Sequence, residues 1–321
     1  MHAKKNLIKV FGDNLVWFLL VAAIFIMGIF NPVFLSKNIL MNILVQSTPL
    51  GLLGIAMALA LLIGEIDLSI IGTLGFTAVI GASMMAQHGH CGLEAFIAIM
   101  GLGAIIGLFN GWIITRLNVN ALIGTLSVQL VLRGASLAFT RGRSIMGFTP
   151  GYRWLGQASF GSDLEIPVLI FVLIIAYLIT TQVLKRTEFG RSLYAIGGNA
   201  NAAYASGIDV KNIRMMAFVY IGLISAFAGY IISARMGVVT AKTGDEYLMY
   251  AIAAPVIGGV SIFGGVGKAH GILAGVLLIT IIMTGLQIID IPSFWVNFVF
   301  GIVILAAVII DAVRHKFQTA E

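Results

Sequence analysis

An all-α integral membrane fold of about ten transmembrane helices is expected for this chain, and three observations carry it. Of its 321 residues 60% are hydrophobic and only 10% charged. An ordinary soluble domain has about 25% charged residues, so a globule of this composition could not keep its surface wet. The charges that are present lie between long apolar runs, each near the ~20 residues a helix needs to cross the hydrocarbon core. They are also shared unevenly between alternate loops.

The first apolar run, 14–30, follows Lys4, Lys5 and Lys9. A signal peptide has that order, but no small-residue cleavage site follows and "NPVFLSKNIL" simply continues, so the run reads as an uncleaved first span. Further spans fall near 48–63, 70–86, 95–115, 121–140, 166–184, 216–234, 249–266, 272–289 and 294–310. The second, third and eighth are short and glycine-rich, which marks them for tilting, breakage or partial re-entry. With the N-terminus inside, twelve of the 19 Lys and Arg fall on the cytoplasmic side, six outside, and Arg133 within a span. Cytoplasmic loops carry the excess of cations, so both termini are expected inside. The chain reads as one transmembrane domain over 1–321, with an outer loop at about 141–165 and a cytoplasmic loop at about 185–215.

Small residues indicate how the spans pack. Gly103, Gly107 and Gly111 repeat every four residues on the fourth span, and Gly271 and Gly275 do so on the ninth. Such faces let neighbouring backbones approach closely.

Several chemistries are excluded or weakly supported. The net charge of +6 is spread between apolar runs, so it reads as topology and not as a nucleic-acid footprint. Cys91 is the single cysteine, which rules out an internal disulfide and a thiolate cage. "SIFGGVGKAHG" invites a phosphate-loop reading, but the pattern needs Gly and Ser or Thr where Ile262 and Ala269 stand. His88, His90, Cys91 and Glu94 form a polar turn more simply than a metal site. No nucleophile–base constellation appears at membrane depth, so an enzyme and a cofactor of its own are not expected.

The fifth span carries Thr125, Gln129, Arg133, Ser136 and Thr140 at helical steps of four, four, three and four, hence on one face. An arginine at this depth costs about 2.5–3.5 kcal/mol on insertion scales, so the stripe must face protein or water. It reads either as the lining of a translocation path or as an interhelical seam with Arg133 snorkelling outward. Glu65 and Asp67, between the second and third spans, are carboxylates near membrane depth, and Asp67 or Ser69 also suits the cap of the third helix. Asn110, Gln129, Arg133, Ser136 and Asp67 are the candidate path residues.

The cytoplasmic stretch "RTEFGRSLYAIGGNANAAYASGID", Arg186–Asp209, is too long for a simple turn. It holds two short helical pieces, with a break expected at Gly197 and Gly198, an N-cap at Asn199 or Asn201, and Gly207 suited to a left-handed C-terminal position. Ala202, Ala203 and Ala205 make the second piece slim enough to enter a partner's groove.

At these residues the chain resembles bacterial ABC-importer permeases of the ribose and monosaccharide type. The resemblance spans nearly the whole chain and rests on "GEIDLS", "LRGASLAFT", "FGRSLYAIGGNANAAYASGI" and "AIAAPVIGGVSIFGGVGKAHGILAG" in that order. It implies the ABC-importer permease fold in a bacterial inner membrane, paired with a second permease copy or a sister permease. It also implies a cytoplasmic ABC ATPase, which binds the ATP, and a periplasmic sugar-binding protein. ATPase coupling is carried over onto Phe189, Gly190, Arg191, Gly197, Gly198, Asn199, Ala202, Ala203 and Gly207. Two positions depart from the family pattern: Glu65 stands where glycine is usual, and Pro255 where a small aliphatic residue is usual. The alternative is an ion-gradient-driven secondary transporter of a small polar solute, which would favour more acids at mid-membrane than this chain has.

Overall fold

The computed structural model describes residues 2–161 and 165–292, together with positions 295, 298, 299, 301, 302, 305 and 309. Helix α1 (His2–Phe30) leads through a 3-10 turn at Pro32–Leu35 into α2 (Lys37–Leu62), followed by α3 (Ser69–His88), α4 (Gly92–Arg116) and α5 (Ala121–Thr140). Then come β1 (Ile145–Met146), the short α6 (Pro150–Gln157), β2 (Ser159–Phe160), β3 (Ile166–Pro167) and α7 (Val168–Arg186). The stubs α8 (Glu188–Gly198) and α9 (Ala200–Ala205) precede α10 (Val210–Met236), β4 (Val238–Val239), α11 (Tyr247–Ile257) and α12 (Ala269–Ile288). The strands are two-residue staples: β1 pairs antiparallel with β4, and β2 with β3.

Seven helices, α2, α3, α4, α5, α7, α10 and α12, are long and apolar enough to cross a bilayer. The expected spans 14–30 and 249–266 correspond to shorter apolar helices, Leu15–Phe30 and Tyr247–Ile257. Most of the expected span 294–310 lies outside the described residues.

The eighth expected span is shortened for a visible reason. Gly237 closes α10 in a left-handed cap, β4 folds back beside β1, and the turn at 241–246 dips into the bundle. There the Thr243 carbonyl comes within 3.0 Å of where a Cβ on Gly75 would stand, and Gly244 abuts the Leu74 side chain. α11 therefore starts partway down the bundle and needs only 11 residues.

The centre is α2, buried without interruption from Ser47 to Leu62, as befits a helix that is apolar all round. The glycine faces close as their spacing predicts. A Cβ on Gly103, Gly107 or Gly111 would run into the α10 backbone at Gly222, Phe218 and Met215, and Gly271 and Gly275 meet Gly258 and Ala254 at the end of α11. One end of the bundle gathers the α2–α3 link, the stubs α8 and α9, the start of α10 and the α11–α12 link. The opposite end gathers α6, the start of α4 and the end of α10.

Candidate functional site

The two stubs form an elbow, and each bend has a capping residue. The Thr187 hydroxyl accepts from the Gly190 amide at 3.0 Å to start α8, with Glu188 in the first turn, where a negative charge suits the helix dipole. α8 buries Gly190, Leu193 and Ile196, one helical face turned to the bundle. Asn199, extended at φ −161°, ends α8 and caps α9 by accepting from the Ala202 amide at 3.0 Å. Gly207 turns at φ +86°, and Asp209 caps α10 by accepting from the Asn212 amide at 3.1 Å.

The helix–break–helix order matches expectation, but the break does not fall at the glycine pair. Gly197 and Gly198 remain inside α8 and Asn199 makes the corner. The glycines do different work. Gly197 presses its backbone against the Leu62 carbonyl and the Gly265 amide, while Gly198 has nothing within 4 Å of a would-be Cβ. Gly190 packs on the α7 backbone at Val183 and Leu184, and Phe189 sets its ring 5.2 Å from that of Tyr220. Ala203 is buried within the chain, so it is not part of a free insertion face. Arg191, Gly198, Asn199, Ala202 and Tyr204 are exposed on the elbow, Tyr204 by 74%.

The polar candidates line up along α3. Asp67 is buried, and its Oδ1 accepts from the Ser69 amide at 2.8 Å and the Ser69 hydroxyl at 2.6 Å. The Ser69 oxygen accepts from Asn110 Nδ2 at 2.7 Å, and the Thr125 hydroxyl accepts from the Leu68 amide at 3.0 Å. One turn along α3, Gln129 lies over Gly72. Asn110 Oδ1 and Gln129 Oε1 are both buried with no hydrogen-bond partner among the described residues. Ser136 and Thr140 are buried too, and each hydroxyl donates to a carbonyl one turn back in α5, at 2.8 Å.

Arg133 reaches Asp245 on the re-entrant turn at 2.9 Å, the two side chains remaining 43% and 34% exposed. Asp245 was missed because "TGDEY" reads as an outer loop; the signal for it was a cation inside a span, which needs a partner. Glu65 pairs with Arg214 at the foot of α10, at 3.4 Å. Burial raises the Glu65 carboxyl above its ordinary range, and Arg214 pulls it back. Burial pushes Asp67 up to about 6, against the lowering effect of its two hydrogen bonds from Ser69.

In the turn before α4, His90 Nδ1 lies 2.8 Å from Glu94 Oε2, and Glu94 also accepts from the Cys91 amide at 3.2 Å. This is a capping arrangement. No group of three or more metal-ligating side chains occurs among the described residues, and the His88 side chain lies outside them.

Residues 39–308 match the family described as branched-chain amino acid transport system / permease component. The chain is 35% identical to the ribose import permease protein RbsC of Haemophilus influenzae over 296 residues, 91% of this chain and 90% of the relative. It is 37% identical to RbsC of Bacillus subtilis over 294 residues, 90% and 89% of the two chains. It is 31% identical to the L-arabinose ABC transporter permease protein AraH of Azospirillum brasilense over 289 residues, 90% and 84%. No solved structure matches. With seven helices fit to span a bilayer and a family match over most of its length, the chain is a multi-pass membrane protein that belongs to this family of transport-system permease components.

Proposed function

We propose that this chain is the transmembrane subunit of an ATP-driven importer in a bacterial inner membrane, carrying a monosaccharide such as a pentose or hexose. The family's description speaks of branched-chain amino acids, whereas relatives aligned over about nine-tenths of the chain are named for ribose and L-arabinose. The names of those relatives favour the sugar, and the buried amide oxygens of Asn110 and Gln129 are acceptors suited to sugar hydroxyls.

In this reading ten spans place both termini in the cytoplasm and turn the elbow to the ATPase. A second copy or a sister permease completes the core. The periplasmic sugar-binding protein delivers ligand at the α6 end. The chain needs no cofactor of its own, because ATP binds the partner. Asp67, Asn110, Gln129, Arg133 and Ser136 lie along the route, with Arg133 and Asp245 kept in water or against the second permease. The observation that carries the reading is the elbow, on which Arg191, Gly198, Asn199, Ala202 and Tyr204 are exposed.

The test is uptake of radiolabelled ribose and arabinose into proteoliposomes, with the chain reconstituted alone or with its ATPase and binding protein. Uptake that needs all three and ATP supports the reading; uptake by the chain alone on an ion gradient overturns it. Gly198→Val, which enters open space, is expected to fold and to lose ATPase association. Ala203→Trp is no test of docking, since it would disrupt the bundle.

A further inference from the structure

The stretch that fails as a phosphate loop, "SIFGGVGKAHG", has a structural use. Between α11 and α12 the Ser261 amide donates to the Val266 carbonyl at 2.9 Å, closing a tight turn. Gly264 and Gly265 stand inside it at φ +96° and +70°, a region costly for any residue with a Cβ. The Gly265 amide donates to the carbonyl of Leu62, the last residue of α2, at 3.0 Å.

The elbow lies on this same point. A Cβ on Gly264 would stand 3.0 Å from Gly197 Cα, and one on Gly265 would stand 2.9 Å from Gly198 Cα. A Cβ on Gly197 would run into both the Leu62 carbonyl and the Gly265 amide. One turn back on α8, the Tyr194 hydroxyl donates to the Gly267 carbonyl at 2.8 Å. The end of α8, the end of α2 and the α11–α12 link thus meet backbone to backbone.

A contact through side chains can absorb a shift of one element by changing rotamers. A contact between backbones has no such slack, so a shift of one carries the others. We propose that this three-way glycine junction is the transmission contact of the elbow. Motion imposed on α8 passes directly to α2 and to the α11–α12 link, and Tyr194 is the positioning residue that keeps the three in register. The proposal rests on the ATPase-docking reading above and adds the route by which docking reaches the transmembrane helices.

The experiment compares variants in proteoliposomes holding the full complex, reading sugar taken up per ATP hydrolysed alongside ATPase association. Tyr194→Phe removes one hydroxyl, and one neutral hydrogen bond corresponds to about a two- to tenfold effect, so uptake per ATP should fall by that much with the ATPase still bound. Gly265→Ala should lower it by about tenfold or more, through both strain and intrusion. Gly259→Ala is the control. It lies in the same link at φ +84° with open space around it, so it carries the strain without meeting α8, and its coupling should match the unaltered chain.

Unchanged uptake per ATP in Tyr194→Phe overturns the proposal. So does loss of the ATPase from that variant, which would make the hydroxyl a docking group. Equal losses in Gly265→Ala and Gly259→Ala would assign the effect to strain and overturn it as well. If Gly265→Ala does not assemble, Tyr194→Phe decides alone. Failure of the underlying reading is seen separately, in the unaltered chain, as uptake without the ATPase.

Discussion

The two ends of the bundle hold short helices by different balances of side chain and glycine. At one end α6 is bound mainly through aromatic side chains, beside one glycine, Gly156, that presses on the α10 backbone at Ala234 and Arg235. The Tyr152 ring meets that of Tyr230 edge-on at 4.7 Å, Phe96 stands 4.9 Å from Tyr230 and Phe148 5.5 Å from Tyr152. Tyr152 and Ser233 share a hydroxyl–hydroxyl hydrogen bond of 2.6 Å, and the Tyr230 hydroxyl donates to the Tyr152 carbonyl at 3.1 Å. At the other end α8 buries Leu193 and Ile196 and, beside them, presses Gly190 and Gly197 on neighbouring backbones. Rings and hydroxyls can be trimmed one group at a time, so the side-chain part of the α6 contact weakens by degrees. The glycine part of the α8 contact has nothing to trim, and adding a single carbon breaks it.

The largest break expected is Gly197→Val. Backbone lies on two sides of the added carbons, and overpacking of this kind costs up to about 3 kcal/mol. Thermal unfolding in detergent should show a lower transition; an unchanged midpoint would mean that the junction is not tight. The Arg133–Asp245 pair sharpens the comparison from between the two ends, because it is neither ring nor backbone. Asp245→Asn removes the ion pair of a partly exposed arginine, at a cost of about 1–2 kcal/mol. The exchange of Arg133→Asp with Asp245→Arg should recover part of that stability, and no recovery would show that the two do not act as a pair.

Tyr152→Phe is a smaller step at the α6 end. Ser233 still donates to the Tyr230 carbonyl at 2.9 Å, so the loss should stay near 1 kcal/mol, read from the same melts. Smallest of all is Gly198→Val. The neighbour of the most sensitive position meets nothing within 4 Å, so the stability of the isolated chain should move by less than about 0.5 kcal/mol. A marked loss would erase the difference between adjacent glycines on which the contrast stands.

That pair also shows where sequence reading stops. The glycine faces on α4 and α12 were legible, because four-residue spacing is a property of one helix. So were the capped elbow and most of the spans. In "IGGN" nothing local distinguishes a packed glycine from an open one, and the expected break at Gly197–Gly198 moved to Asn199, whose side chain caps α9. Ala203 looked like its neighbours Ala202 and Ala205, yet it faces inward. Asp245 was hidden because its depth depends on a turn folding against α3 and reaching Arg133 on α5, which no hydropathy window detects. The stripe on α5 was correctly placed on one face, but its members differ: Gln129 keeps a buried oxygen without a partner, while Ser136 donates to its own helix.

The re-entrant turn bears on how the protein is made. A helix of 11 residues, preceded by Lys242, Asp245 and Glu246, is well short of the ~20 apolar residues that partition into lipid on their own. It becomes soluble in the bilayer only once α3 and α5 are present to shield the turn and neutralise Asp245. An order of biogenesis is the expected consequence: α2 to α5 are long and apolar enough to enter as independent segments, as is α12, whereas α11 with its charged turn folds into a scaffold that α3 and α5 have already built.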